Sequence, residues 1–355
     1  MRSVRALASV LLVGAIGTAT TSCSLAGGDD EGDRERAAAD EVVLVTHESF
    51  TLPDEVLAAF EEESGYRLEV RSAGDAGALT NRLVLTKDDP VGDVAFGIDN
   101  TFASRALDEG VVADTDVERP AGAGAYDLEG EGGDDLVPVD TGNVCVNVDD
   151  TWFRREGVEP PRSLEDLTEP AYRDLLVVPG ATTSSPGLAF LLATVAEYGD
   201  EWPGYWERLV ANGAKLVDGW SDAYQVDFTQ GGGKGDRPVV VSYDSSPAFT
   251  VDGEGGTTTS ALLDTCFRQV EYAGVLEGAA NPEGGEELLE FLLTPEVQAA
   301  LPDSMYVFPV RDDVDLPADW ARFAQQPDAP YAVDPAEIAE NRDTWLREWT
   351  DVTTR

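Results

Sequence analysis

Between residues 41 and 110 short apolar runs alternate with amphipathic ones, and that rhythm restricts the fold more than any other feature of the chain. Glu41 to Thr46 is apolar and rich in valine, as a strand buried on both faces should be. Pro53 to Glu63 reads as a helix: Pro53 suits the first turn, Val56, Leu57 and Phe60 share a face, and Gly65 follows as a left-handed cap. Tyr66 to Arg71 alternates as a second strand. Ala76 to Thr86 is a helix behind Asp75, carrying Leu79, Leu83 and Val84. Val94 to Ile98 is a third strand, and Phe102 to Glu109 a further helix with Gly110 beyond it. Strands joined through helices in this order demand a parallel α/β sheet with helices on both faces.

Ligands of such sheets sit beyond the carboxyl ends of the strands. Those positions carry His47, Glu48 and Ser49, then Asp75, then Asp99. Asp75 and Asp99 could each simply cap the helix that follows. Their shared edge favours a ligand crevice.

A second polar and aromatic stretch runs from Asp218 to Phe249. The apolar run Pro238 to Ser242 ends abruptly in Tyr243, Asp244, Ser245 and Ser246, with Trp220 and Tyr224 upstream. Rings beside carboxylates suit a flat organic cation. The same rings suit a buried core, and the sequence leaves both readings open. Thr183, Ser184 and Ser185 precede a helix expected over Leu188 to Tyr198. Hydroxyls and free N–H groups gathered at a helix start make either an anion site or a plain N-cap.

The remaining pattern is consistent with a second α/β lobe. Strands are expected over Val137 to Val148, Leu175 to Val178, Lys215 to Val217 and Leu262 to Gly274. Helices are expected over Leu164 to Leu167, Trp202 to Asn212, Glu283 to Leu301 and Pro335 to Thr350. The last, with Ile338, Trp345 and Trp349, is expected to pack on the first lobe.

A chain of 355 residues suggests two lobes rather than one core. The 24 Lys and Arg against 69 Asp and Glu give a net charge of −45, which argues against nucleic acid and weakly favours cationic ligands. Arg2 and Arg5, the apolar run Ala6 to Ile16 and small residues up to Cys23 read as an export signal over residues 1–23. Ser22-Cys23 suits acylation of Cys23, giving a membrane lipid anchor; the alternative is an ordinary secretory signal with a chance cysteine. Residues 24–40 have almost no bulky apolar side chain and are expected to be a disordered tether. In an oxidising compartment Cys145 and Cys266 invite a disulfide, or else stand as two buried thiols.

Catalysis has little to stand on. His47 is the single histidine, and there is no Gly-x-Ser-x-Gly turn or Cys/His metal spacing. The chain is therefore expected to be a binding protein rather than an enzyme, with no cofactor.

Several phrases carry a resemblance: Thr46-His47-Glu48-Ser49-Phe50, Gly97-Ile98-Asp99-Asn100, Ser185-Pro186-Gly187-Leu188, Gly219-Trp220-Ser221-Asp222-Ala223-Tyr224, Ser242-Tyr243-Asp244-Ser245-Ser246-Pro247-Ala248 and Phe291-Leu292-Leu293-Thr294-Pro295-Glu296-Val297-Gln298. They are similar to bacterial extracytoplasmic solute-binding proteins of ABC importers, and to the thiamine-binding group in particular. The resemblance implies a two-lobed, periplasmic-binding-protein-like (type II) α/β fold, each lobe a mostly parallel sheet, joined by crossover strands. Lobe 1 would comprise residues 41–141 and 275–355, and lobe 2 residues 142–274. It implies a thiamine or thiamine phosphate ligand, an ABC permease as partner, and a monomer outside the cytoplasm. Trp220, Tyr243 and Tyr306 would be ring walls, Glu48 and Asp75 would face the ligand's charged and aminopyrimidine parts, and Thr183, Ser184 and Ser185 its hydroxyl or phosphate end. Tyr224, Asp244 and Ser246 complete the expected set with His47, Ser49 and Asp99. The family often has Tyr where His47 stands and Trp where Tyr306 stands. A polyamine is the closest rival ligand; ferric iron is less favoured because no tyrosine pair is adjacent.

Overall fold

The computed structural model describes residues 40–354, apart from 129 and 131. The expected export signal, the acylation site at Cys23 and all but the last residue of the expected tether lie outside the described residues. Nine strands form one sheet: β1 (Glu41–Thr46), β2 (Arg67–Ser72), β3 (Val94–Asp99), β4 (Val137–Asp149), β5 (Leu176–Pro179), β6 (Lys215–Val217), β7 (Val239–Tyr243), β8 (Thr259–Val275) and β9 (Phe308–Pro309). Their order is β2-β1-β3-β8-β4-β7-β5-β6, with β9 beside β4.

The sheet has two parallel ends and an antiparallel middle. β1 runs parallel to β2 and β3, and β5 runs parallel to β6 and β7. Between them the two longest strands, β4 and β8, pair antiparallel over most of their length. The last residues of β8 pair with β3 on one side, while Val144 to Val148 of β4 pair with β7 on the other. These two strands therefore carry the chain from one half of the molecule to the other, as expected for crossovers.

Helices cover both faces: α1 (Asp54–Ser64), α2 (Ala76–Leu85), α3 (Ala103–Asp108), α4 (Asp150–Glu156), α5 (Ser185–Tyr198), α6 (Trp202–Ala211), α7 (Pro282–Leu292), α8 (Pro295–Met305), α9 (Ala318–Phe323) and α10 (Pro335–Thr353). Gly65 ends α1 with a φ of 81°, the left-handed cap its position called for. The helix expected from Glu283 to Leu301 is two. Leu293 closes α7, the Thr294 side chain accepts from Val297 N, and Pro295 opens α8. Proline both lacks an N–H and disfavours a helical residue before it. Trp152 and Phe153 lie inside α4. The α10 tail departs from expectation as well. Ile338, Trp349 and Val352 join the apolar cluster of the β5–β7 half, and the Trp349 ring meets Trp206 of α6 edge-on at 5.6 Å. The tail also touches α3 of the first half.

Cys145 of β4 and Cys266 of β8 are joined in a disulfide, at the place where the β4–β8 register shifts between Val144 and Val146.

Candidate functional site

A cavity of about 30 Å³ lies between the halves, lined by His47, Ser49, Asp75, Ser185, Pro186, Trp220, Tyr243, Glu271, Met305 and Val307. It draws on the ends of β1 and β2, the start of α5, the turn after β6, the end of β7, and β8. Of the expected strand-end positions, His47, Ser49, Asp75 and Tyr243 line it, and Glu48, Asp99 and Asp244 do not.

The second half supplies most of the rings. Trp220 stacks on Tyr224 with centroids 5.2 Å apart and planes 10° from parallel, and it meets Tyr243 and Tyr306 edge-on at 6.3 and 5.7 Å. Its Nε1–H donates to Ser242 Oγ at 2.9 Å, and the Ser242 and Ser246 hydroxyls lie 2.9 Å apart. This bond fixes the indole plane. Trp220 and Tyr243 are only 6% and 8% exposed, so each is both core and wall. The chain from Asp222 to Asp227 winds as a π-helical turn that carries Tyr224; such widened turns recur at functional sites. Tyr306, at the end of α8, has a φ of 66°, unusual for a bulky residue. Ser245 Oγ donates to its carbonyl, and its ring lies 3.4 Å from Phe249 in a near-parallel stack.

The first half supplies acids. Asp75 caps α2 by accepting from Ala76 N at 2.7 Å, yet also accepts from Ser185 N at 3.4 Å and Trp220 N at 3.0 Å. Capping and a cross-cleft role are thus held by one carboxylate. A Cβ on Gly219 would sit 3.0 Å from Asp75 Oδ2 and 3.2 Å from Glu48 Oε1, so this close approach of backbone to acids depends on glycine. Burial, then the nearby Asp75 and Asp222 carboxylates, hold the Glu48 pKa above the usual range, against a hydrogen bond from Ser221. Ser49 Oγ lies 3.4 Å from Ser221 Oγ.

Asp99 sits behind the cavity. It accepts from Thr101 N, Thr101 Oγ1 and Phe102 N, and its second oxygen accepts from Ser185 Oγ. Burial raises its pKa to about 6 despite those bonds. Of the hydroxyl run, Thr183 donates to Asp218 O at 2.6 Å and Ser185 is taken by Asp99. Ser184 Oγ is buried with no hydrogen-bond partner. The start of α5 is therefore faced by two carboxylates. Asp244 turns elsewhere: it accepts from Asn143 N and Nδ2, and it lines a separate cavity of about 230 Å³ with Thr257, Ser260 and Arg322. Burial also puts its pKa at about 6.

His47 is 7% exposed. Its Nδ1 accepts from Ser49 N at 3.2 Å, which leaves the ring proton to Nε2, 3.6 Å from Glu271 Oε2. Burial works against the charged ring, but Glu271, with Asp75 and Glu48, outweighs it, and the pKa lies above the ordinary value. Glu271 is the charged wall residue the sequence reading missed, along with the apolar Pro186, Met305 and Val307. Its signal was a carboxylate between Val270 and Tyr272 in an otherwise buried strand, a position that requires a partner. Among the described residues no group of three or more His, Cys, Asp or Glu is placed to hold a metal ion.

Two sheet halves joined through crossover strands, with a cleft of rings facing acids, define a solute-binding protein of the extracytoplasmic, two-lobed type. Residues 89–333 match the model of the bacterial extracellular solute-binding protein family, and the chain belongs to that family. Among curated relatives, the thiamine-binding periplasmic protein of Escherichia coli (strain K12) is 29% identical over 88% of this chain and 94% of its own. That of Brucella melitensis is 30% identical over 90% and 93%. A solved periplasmic thiamin binding protein superposes with a TM-score of 0.78 at 30% identity, covering 88% of this chain and 96% of that one.

Proposed function

We propose that this protein captures thiamine, or its mono- or pyrophosphate, outside the cytoplasm and delivers it to an ABC permease. The observation that carries the reading is the meeting of Trp220 and Tyr243 with Asp75 at one cavity between two halves. Thiamine has two flat rings and one fixed positive charge. Cation–π contact with a desolvated ring contributes about 0.5–2 kcal/mol, and carboxylates add charge-assisted hydrogen bonds. The names of the relatives point the same way.

A cavity of about 30 Å³ holds a water or two, whereas ligand sites run to roughly 300–1,000 Å³. Thiamine therefore enters by separation of the halves about β4 and β8, and the lobes close on it again. The lobes of this motion are residues 41–141 with 275–334, and 142–274 with α10, which packs on α6. Acylated Cys23 would keep the protein at the outer face of the membrane, as a binding component and not an enzyme. Titration calorimetry of the purified protein tests the reading: heat saturating at one thiamine per chain supports it. Neither heat nor a thermal shift with thiamine, its monophosphate or its pyrophosphate would refute it.

A further inference from the structure

Below the ring wall a row of acids crosses the middle of the sheet. Glu271 of β8 is paired in register with Asp99 of β3 on one side and Asp140 of β4 on the other. Asp140 is fully buried, and neither of its carboxylate oxygens has a hydrogen-bond partner. Only a shared proton lets two carboxylates lie together in so dry a place. Burial and Glu271 accordingly hold the Asp140 pKa well above the usual range. Burial beside Glu271 thus favours a proton on Asp140. Glu271 Oε1 receives a 3.4 Å bond from Gln269 Nε2, which also donates to Tyr243 Oη at 3.0 Å; Glu271 Oε2 faces His47 Nε2.

Glu271 belongs to the cavity wall, and that wall contains no lysine or arginine. His47 is its only basic group. It feels Asp75 and Glu48 from the first half as well as Glu271. Glycine is required at position 97, because a Cβ there would lie 2.1 Å from His47 Cδ2. The imidazole is thereby seated tightly between β3 and Glu271.

We propose that Glu271 is a specificity-determining residue for cationic ligands, and that a proton on His47 competes with the ligand's positive charge for it. With His47 protonated, the Glu271 charge is internally neutralised. When a cation enters, the proton leaves His47 for solvent and the carboxylate turns to the ligand. Binding is therefore coupled to release of up to one proton per cation. A neutral ligand of the same shape gains nothing from Glu271. The inference rests on the thiamine reading for its probe, but concerns how the site recognises charge.

The test is thiamine binding by the full chain, followed by calorimetry from pH 6 to 9, where carboxylates of ordinary pKa stay ionised. Affinity should rise with pH, approaching about tenfold per unit below the His47 pKa, then level off. Repeating the titration in buffers of different ionisation enthalpy should show proton release at the acid end and none at pH 9. His47→Gln should flatten the profile, and Glu271→Gln should lower affinity more than about tenfold at pH 8. A flat profile with no proton release in the unaltered protein overturns the inference while leaving thiamine binding intact, whatever the variants do. Absence of any thiamine binding would instead overturn the functional reading.

Discussion

The ends of β1 and β2 bring acids to the cleft, whereas the segments around β7 and the end of α8 bring rings. The two sides are not held alike. Trp220 is fixed within its own half, by Ser242 and by the stack on Tyr224. Asp75 and Asp99 reach across instead, to Trp220 N, Ser185 N and Ser185 Oγ. The ring wall is thus shaped whether the halves are together or apart, and the acids serve both closure and recognition. A ligand that brings its own donors can replace the backbone donors on Asp75, so the same oxygens hold the halves with or without it.

The sharpest way to break this comparison is to remove the wall. Trp220→Ala should weaken thiamine binding by more than tenfold in calorimetry. Because Trp220 is core as well, the change should also cost about 3–5 kcal/mol of stability in denaturant unfolding; unchanged stability with lost binding would mean the ring is no part of the core. The acid side should answer to pH. Asp99 has a folded pKa of about 6 against an ordinary 3.8, so the native state binds more protons than the unfolded one between those values. Its contribution to stability is fully present below about pH 4 and falls as pH rises through 6. Asp99→Asn should remove roughly 2 kcal/mol of that fall, seen as a flatter melting temperature from pH 4 to 7. Asp75→Asn should lower thiamine affinity about tenfold, or ~1.4 kcal/mol, while largely keeping the cap. Ser185→Ala should cost about 1 kcal/mol of stability and is the smallest expected effect. Should it instead abolish binding, the hydroxyl belongs to the ligand rather than to Asp99.

The parallel ends of the sheet were legible because valine runs followed by amphipathic helices leave few alternatives. The strand-end rule then pointed to His47, Ser49, Asp75 and Tyr243, which line the cavity, with no knowledge of contacts. What escaped was set by pairing across the chain. Glu271 becomes a wall residue only because β8 passes between β3 and β4. Asp244 looked like its neighbour Tyr243, but the strand ends at Tyr243, and in the turn beyond it Asp244 faces Asn143. The seat of α10 on α6 is likewise a matter of which apolar surface remains uncovered, which local pattern does not record.

The Cys145–Cys266 bond has a mechanical corollary. It ties β4 to β8 beside the stretch where both leave one half for the other. Two strands so riveted cannot slide past each other by a residue, which in a sheet would turn every side chain over. The remaining freedom is to bend and twist as a single ribbon. Each cycle of loading and delivery then returns Glu271 and Asp140, which ride on that ribbon, to the same positions.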